Sequence, residues 1–175
     1  MLYHFSEDAD IDIFIPRLKQ NRPDFPAVVW AIDEQHEFTY YFPRNCPRIV
    51  IQRTNEISNE HQELFFKHTE ADIIVTVERE WYTKIAGQSL YRYHLDEASF
   101  QLFDETAGYY ISDQVITPSC VEKIDHLVER LLTRGVELRL TSNLYPLRDA
   151  VLQSDFKEFG IHRFNHAKKL LRSEN

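Results

Sequence analysis

A histidine set mid-strand among apolar neighbours is a polar group that a fold must either satisfy or use. Leu2-Tyr3-His4-Phe5-Ser6 presents one, with a serine two positions on. An imidazole both donates and accepts hydrogen bonds and titrates near neutral pH, which suits proton transfer or a ribose hydroxyl. Trp30, in the apolar run Val28-Val29-Trp30-Ala31-Ile32, and Tyr110, in Gly108-Tyr109-Tyr110-Ile111-Ser112, add flat rings from two further strands. If His4, Trp30 and Tyr110 converge, they line an aromatic pocket for a flat ring and a ribose hydroxyl. His4 and Tyr110 are then the catalytic candidates, with Ser6 and Trp30 against the ligand. Arg44 and Arg48 flank a turn stiffened by Pro43 and Pro47, and either can meet a phosphate bidentately. The plainer reading is that His4 bonds a backbone carbonyl and the rings are core.

Other reactive side chains lack the company they need. His162 and His166 share a face if their segment is helical, but Arg163 stands where a zinc protease motif has its glutamate. His61 and His68 have no third ligand in evident reach, so no metal site is expected. Asp8, Asp10 and Asp12 resemble the start of a calcium loop, without its glycine or its closing glutamate. No serine sits in a GxSxG elbow, and neither Cys46 nor Cys120 has a local nucleophile signature. Four glycines, at 87, 108, 135 and 160, leave no phosphate loop. That argues against a Rossmann dehydrogenase or a P-loop ATPase.

The elements that must position these residues are short. Strands are expected at Leu2–Ser6, Ala27–Ile32, Arg48–Gln52, Ala71–Val77 and Leu90–Leu95, then at 100–103, 108–112, 115–116 and 136–140. Arg17–Pro26 reads as a surface loop. Asp33 is expected to cap a helix over Glu34–Phe42, stopped by Pro43. A second helix is expected over Ser58–Thr69, and a third over Arg79–Ala86, closed by a left-handed Gly87. Thr117-Pro118 reads as a helix start, with Val121, Ile124, Leu127, Val128, Leu131 and Leu132 at spacings of three and four. That helix makes Val115–Leu140 a strand–helix–strand crossover. Asn143–Pro146 leads into a further helix, and Phe156–Leu171 is expected to be partly helical.

At 175 residues, with 43% hydrophobic and 27% charged, the chain has the makings of one globular domain spanning 1–175. A net charge of −8 argues against nucleic acid as the partner, since phosphate backbones are bound by clustered Lys and Arg. Arg163, Lys168, Lys169 and Arg172 form one basic exception, read as a solvated helix face. Two cysteines without a CxxC, no signal-type leader and no run near 20 apolar residues point to a cytoplasmic, membrane-free protein.

Five stretches carry a resemblance to a family of small, uncharacterised bacterial proteins. They are Leu2–Ser6, Val28–Asp33, Pro43–Arg48, Tyr91-Arg92-Tyr93-His94-Leu95 and Ala107–Ser112. No activity comes with that resemblance. More distantly, the chain resembles the ADP-ribosyltransferase-like fold. There a first strand of the type Tyr-His-x-Ser/Thr brings a histidine to the NAD ribose, and a second brings an aromatic to the nicotinamide. A later strand brings a glutamate. Tyr3-His4-Phe5-Ser6 matches the first element and Val29-Trp30-Ala31 the second, while Gly108–Pro118 carries no strand glutamate.

The resulting expectation is an α+β domain of many short strands, in one mixed sheet or two, with an NAD or ADP-ribose pocket. Transfer of ADP-ribose is one reading; a non-catalytic binding or interaction module is the other.

Overall fold

The structure, a computed structural model, describes residues 1–19 and 23–169. Among the described residues the strands are β1 (Leu2–Ser6), β2 (Val29–Ile32), β3 (Arg48–Gln52), β4 (Ile73–Glu78), β5 (Leu90–Leu95), β6 (Gln101–Asp104), β7 (Tyr109–Ser112), β8 (Cys120–Ile124), β9 (Val136–Thr141) and β10 (Phe159–His162). The helices are α1 (Asn59–Phe66), α2 (Tyr82–Gly87), α3 (Leu127–Thr133) and α4 (Tyr145–Gln153). The strands form two sheets, one of them mixed, and the class is α+β as expected. Contacts divide the chain into two compact units, Met1–Tyr41 with Ser89–Asp125 and Phe42–Gln88 with His126–Asn175.

Unit 1 is an antiparallel sheet in the order β6-β7-β2-β1-β5-β8. Successive side chains on a strand point to opposite faces, so the register decides what shares a face. Leu2, Val29, Ala31, Tyr93 and Leu95 pack with Phe14 and Ile116 into a core on one side. Tyr93 is wholly covered, and its hydroxyl donates to the carbonyl of Asp8 at 2.7 Å while accepting from the Ile11 amide at 3.2 Å. The acidic turn after β1 is thus pinned by a core tyrosine.

Unit 2 is the mixed sheet β10-β3-β4-β9, in which β4 and β9 run parallel. Ile49, Ile51 and Ile74 pack against Phe65, Phe66, Leu144, Val151 and Phe156. Ser58 caps α1, its hydroxyl accepting from the His61 amide at 3.4 Å. Glu78 is buried, yet its carboxylate accepts from the Lys168 amide at 3.0 Å and the Leu144 amide at 3.4 Å. A buried carboxylate is tolerable when backbone donors satisfy it, and this one ties two loops to the end of β4.

Five expectations are corrected here. Residues 120–124 form an edge strand paired with β5, not the first half of a helix, and only Leu127–Thr133 is helical. The apolar spacing is helical, but His126 is left-handed at φ 57°, which no continuous helix passes through. The crossover over Val115–Leu140 therefore does not exist: Ile116 bridges Phe14, and β9 pairs with β4. Glu34–Phe42 shortens to a 3₁₀ turn over Glu37–Tyr40, and Gly87 ends α2 without a positive φ. His162 closes β10 while His166 ends a 3₁₀ turn, so they share no helix face. The basic residue Arg172, the last residues of the Phe156–Leu171 segment and part of the Arg17–Pro26 loop lie outside the described residues.

His162 yields a pH prediction for unit 2. Its ring lies over Gly160, where a Cβ would come within 2.6 Å of Nε2. Burial, with the charges of Arg48 and Arg163, depresses its pKa to about 3. Folded chains thus hold the ring neutral while unfolded chains protonate it below about 6.5, so its contribution is present above that pH and lost as pH falls toward 3. The carboxylates Glu137 and Asp155, whose pKa values are lowered, lose their contributions in the same direction but at lower pH. Urea denaturation should show stability declining between about pH 7 and pH 5, with His162→Gln flattening that slope. An unchanged slope in the variant would refute the assignment.

Candidate functional site

The face of the unit 1 sheet opposite its core carries the chemistry. Tyr3 lies opposite both Ile32 and His94, Phe5 opposite Arg92, and Trp30 opposite Ile111. His94 in turn lies opposite Cys120, and Arg92 opposite Glu122. By alternation Tyr3, Phe5, Trp30, Ile32, Arg92, His94, Tyr109 and Glu122 all share this face.

Its centre is an ion network. Arg92 donates to both oxygens of Glu37, at 3.1 and 3.0 Å, and to Glu122 through Nε at 3.1 Å and Nη2 at 2.6 Å. Glu37 is 0% exposed and also accepts from the Tyr41 hydroxyl at 2.7 Å. Burial works against the guanidinium charge, but its bonds to Glu122 and Glu37 outweigh that and raise the Arg92 pKa above its ordinary value. The same guanidinium lies 4.8 Å from the centre of the Tyr3 ring. Burial, with the charge of Glu34, pushes the Tyr3 phenol up, so it stays a neutral donor. Glu122 is the open end of the network, with a side chain 41% exposed, and its Oε2 lies 3.5 Å from His94 Nε2.

A second group gathers at β2 and β7. The Trp30 ring meets Phe25 at 5.6 Å, Phe103 at 5.1 Å and Tyr109 at 5.9 Å, the last two edge-on. The Tyr40 hydroxyl donates to that of Tyr109 at 3.2 Å, and the Tyr40 ring stacks on Phe5 at 6.0 Å. Beside them Asp33 Oδ1 lies 2.7 Å from His36 Nδ1 and accepts from the His36 amide at 2.8 Å. Gly108, left-handed at φ 66°, passes so close that a Cβ would stand 2.3 Å from His36 Nδ1.

Two side-chain nitrogens on this face are buried without a hydrogen-bond partner, Trp30 Nε1 and His94 Nε2. The 3.5 Å approach of Glu122 to His94 is an ion-pair distance that falls short of a hydrogen bond. Buried polar groups nearly always find partners, so two orphans on one sheet face mark a place where a hydrogen-bonding group belongs.

The proposed corners fall on both sides of the sheet. His4 and Tyr110 share the core face: His4 Nδ1 lies 2.9 Å from the Trp30 carbonyl with its ring 4.7 Å from Phe14, and Tyr110 packs against the core. Trp30 points the other way, so the structure does not bring its ring to His4 and Tyr110. The Ser6 hydroxyl accepts from the Asp8 amide at 3.0 Å and closes the strand end. Arg44 and Arg48 belong to unit 2. Arg44 is exposed there, whereas Arg48 is buried, donates to the Cys46 carbonyl at 3.0 Å and lies over the Phe42 ring.

Sequence reasoning passed over Glu37, Arg92, His94, Glu122 and the Asp33–His36 pair. One signal was present: in Leu90–Leu95 the two polar residues Arg92 and His94 alternate with tyrosines, which places them on one face. In unit 2, Ser58, His61 and Asp155 suggest a triad, but Ser58 Oγ and Asp155 Oδ1 both approach His61 Nδ1, at 3.0 and 2.5 Å. A relay needs both ring nitrogens, so this is a cap clamp. Among the described residues no group of three His, Cys, Asp or Glu could hold a metal ion, and no helix is long and apolar enough to cross a membrane.

A family model spans this whole arrangement, from residue 3 to residue 167. The chain belongs to DUF6886, a family of unknown function. The model takes in every residue of the network, the aromatic group and the Asp33–His36 pair. No curated protein and no solved structure matches the chain.

Proposed function

We propose that unit 1 binds a small nucleotide-type ligand on the Trp30–His94 face, with NAD or ADP-ribose as the first candidate. The observation that carries this reading is the pair of orphaned nitrogens, Trp30 Nε1 and His94 Nε2, on one sheet face. Strand β1 lies between β2 and β5, which separates these two side chains by roughly 10 Å across the sheet. That span fits a ligand with a ring at one end and ribose or phosphate oxygens at the other. Tyr109 and Tyr40 support it as ring wall and hydroxyl donor.

A transferase reading draws on Glu122. It supplies a strand carboxylate beside His94 and Arg92, on β8 rather than β7. A carboxylate there suits holding an acceptor hydroxyl or stabilising positive charge on a sugar carbon. The binding-module reading draws on Arg92, whose donors are already taken up by Glu37 and Glu122.

Calorimetric titration with NAD, ADP-ribose and AMP tests the binding. At least one should bind, and Trp30→Phe, which keeps a ring but removes the donor, should weaken it roughly fivefold. His94→Ala should do likewise, and His4→Ala should leave affinity unchanged. Absence of binding by all three ligands, or indifference to both variants, overturns the proposal. Nicotinamide release abolished by Glu122→Gln, with binding retained, would assign transfer. Binding without release would assign a module.

A further inference from the structure

Asp33 and His36 form a carboxylate–imidazole pair at the end of the sheet where β2 leaves and β7 enters. Asp33 follows Ile32, and Gly108 precedes Tyr109, the residue opposite Ile32. Asp33 Oδ1 lies 2.7 Å from His36 Nδ1 and also accepts from the His36 amide at 2.8 Å, so carboxylate and ring are locked together. A carboxylate only accepts, which puts the ring proton on Nδ1 and the lone pair of the neutral imidazole on Nε2. No hydrogen bond among the described residues reaches Nε2. It is not one of the two buried orphans, so water meets it. The amide bond alone would shape the turn over Glu37–Tyr40, which makes no use of the ring bond.

We propose that His36 is a general base, with Asp33 as its positioning residue, in the hydrolysis of small neutral carboxylic esters. Nε2 takes a proton from water, the water oxygen attacks the acyl carbon, and the carbon–oxygen bond to the alcohol breaks. The departing alkoxide takes the proton from the imidazolium, which restores the ring. The charge nearby selects the substrate. Asp33, Glu34 and Glu37 all lie within three residues of His36, and the cation bound to Glu37, Arg92, is taken up by carboxylates. An anionic phosphoryl group is repelled there, whereas an ester carries no charge. The Trp30 and Tyr109 rings, with centres 5.9 Å apart on the adjoining face, offer a wall for an aryl alcohol. This activity stands apart from the nucleotide reading.

Hydrolysis of p-nitrophenyl acetate, followed by nitrophenolate absorbance, tests it without any nucleotide. The full-length folded protein should be faster than the same chain unfolded in urea, which offers the same eight histidines in no arrangement. His36→Gln should lower the folded rate about a hundredfold. Asp33→Asn, whose amide oxygen still accepts from the His36 amide, should lower kcat at least about tenfold at unchanged KM. His68→Gln, which alters an exposed histidine outside the pair, should change nothing. Circular dichroism checks the fold of each variant, and if His36→Gln unfolds, Asp33→Asn decides. A folded rate no higher than in urea, or indifference to Asp33→Asn, overturns the proposal, as does a loss in His68→Gln equal to that in His36→Gln. ADP-ribose binding without ester hydrolysis would remove this activity and leave the ligand face standing. Ester hydrolysis without ADP-ribose binding would do the reverse.

Discussion

Glu37→Ala should cost unit 1 about 3–5 kcal/mol, the largest loss expected from any single polar substitution in the network. Glu37 is 0% exposed, and both its oxygens accept from Arg92 Nη1 while Oε1 also accepts from the Tyr41 hydroxyl. Removing it leaves Arg92, largely covered, with one half-open carboxylate in place of two. The penalty arises less from the lost attraction than from a buried charge without compensation. Arg92→Ala should be comparably damaging, since it strands Glu37. The double variant should cost clearly less than the sum of the two, because each single change leaves the other partner exposed to the same penalty. Urea midpoints of the four proteins measure this. Additive losses would show that the two side chains are not energetically coupled, whatever their geometry.

Gly108→Ala is the second large effect, at about 2–4 kcal/mol. Two independent costs combine there. The backbone at φ 66° disfavours any side chain, and the new methyl would sit 2.3 Å from His36 Nδ1 and 2.7 Å from both Asp33 oxygens. These are not loose side-chain ends: Asp33 is fixed by the His36 amide, and its own amide donates to the Gly108 carbonyl at 3.0 Å. The Asp33–His36 pair should be driven apart, which proton NMR of the His36 ring would report. Gly87→Ala is the control, because nothing lies within 4 Å of its Cβ position and its φ is ordinary. It should be neutral or slightly stabilising. A Gly108→Ala midpoint equal to that of Gly87→Ala would refute the close-approach account.

What the sequence made legible was local. Arg48–Gln52 and Leu90–Leu95 have the boundaries expected of them, because alternation and flanking turn residues act within a few positions. Residues 120–124 form a strand although Val121, Ile124 and Leu127 keep a helical spacing, with Val121 and Ile124 on opposite faces of it. Pairing with β5, thirty residues upstream, decides the outcome. The site failed for the same kind of reason. His4 and Trp30 are both on central strands, but whether they share a face depends on Tyr3 meeting Ile32, a register set between distant segments. Shifted by one residue, the sheet would bring the His4 and Trp30 side chains together. Glu37 and Arg92 were invisible because charged residues are ordinarily solvated, and only tertiary packing turns such a pair inward.

The parallel pairing of β4 with β9 has a consequence for how the chain comes off the ribosome. β4 ends at Glu78 and β9 begins at Val136, and between them the chain completes the other sheet. Every strand of unit 1 has emerged once Ile124 is made, whereas β4 still lacks one neighbour and α4 has not been synthesised. Unit 1 can therefore close while unit 2 waits as the β3–β4 pair, with both outer edges unpaired. Long-separated pairings of this sort form late and slowly. During synthesis the vulnerable edges of this sheet thus include the bare side of β4, whose Ile74, Val75 and Val77 are all buried in the finished fold.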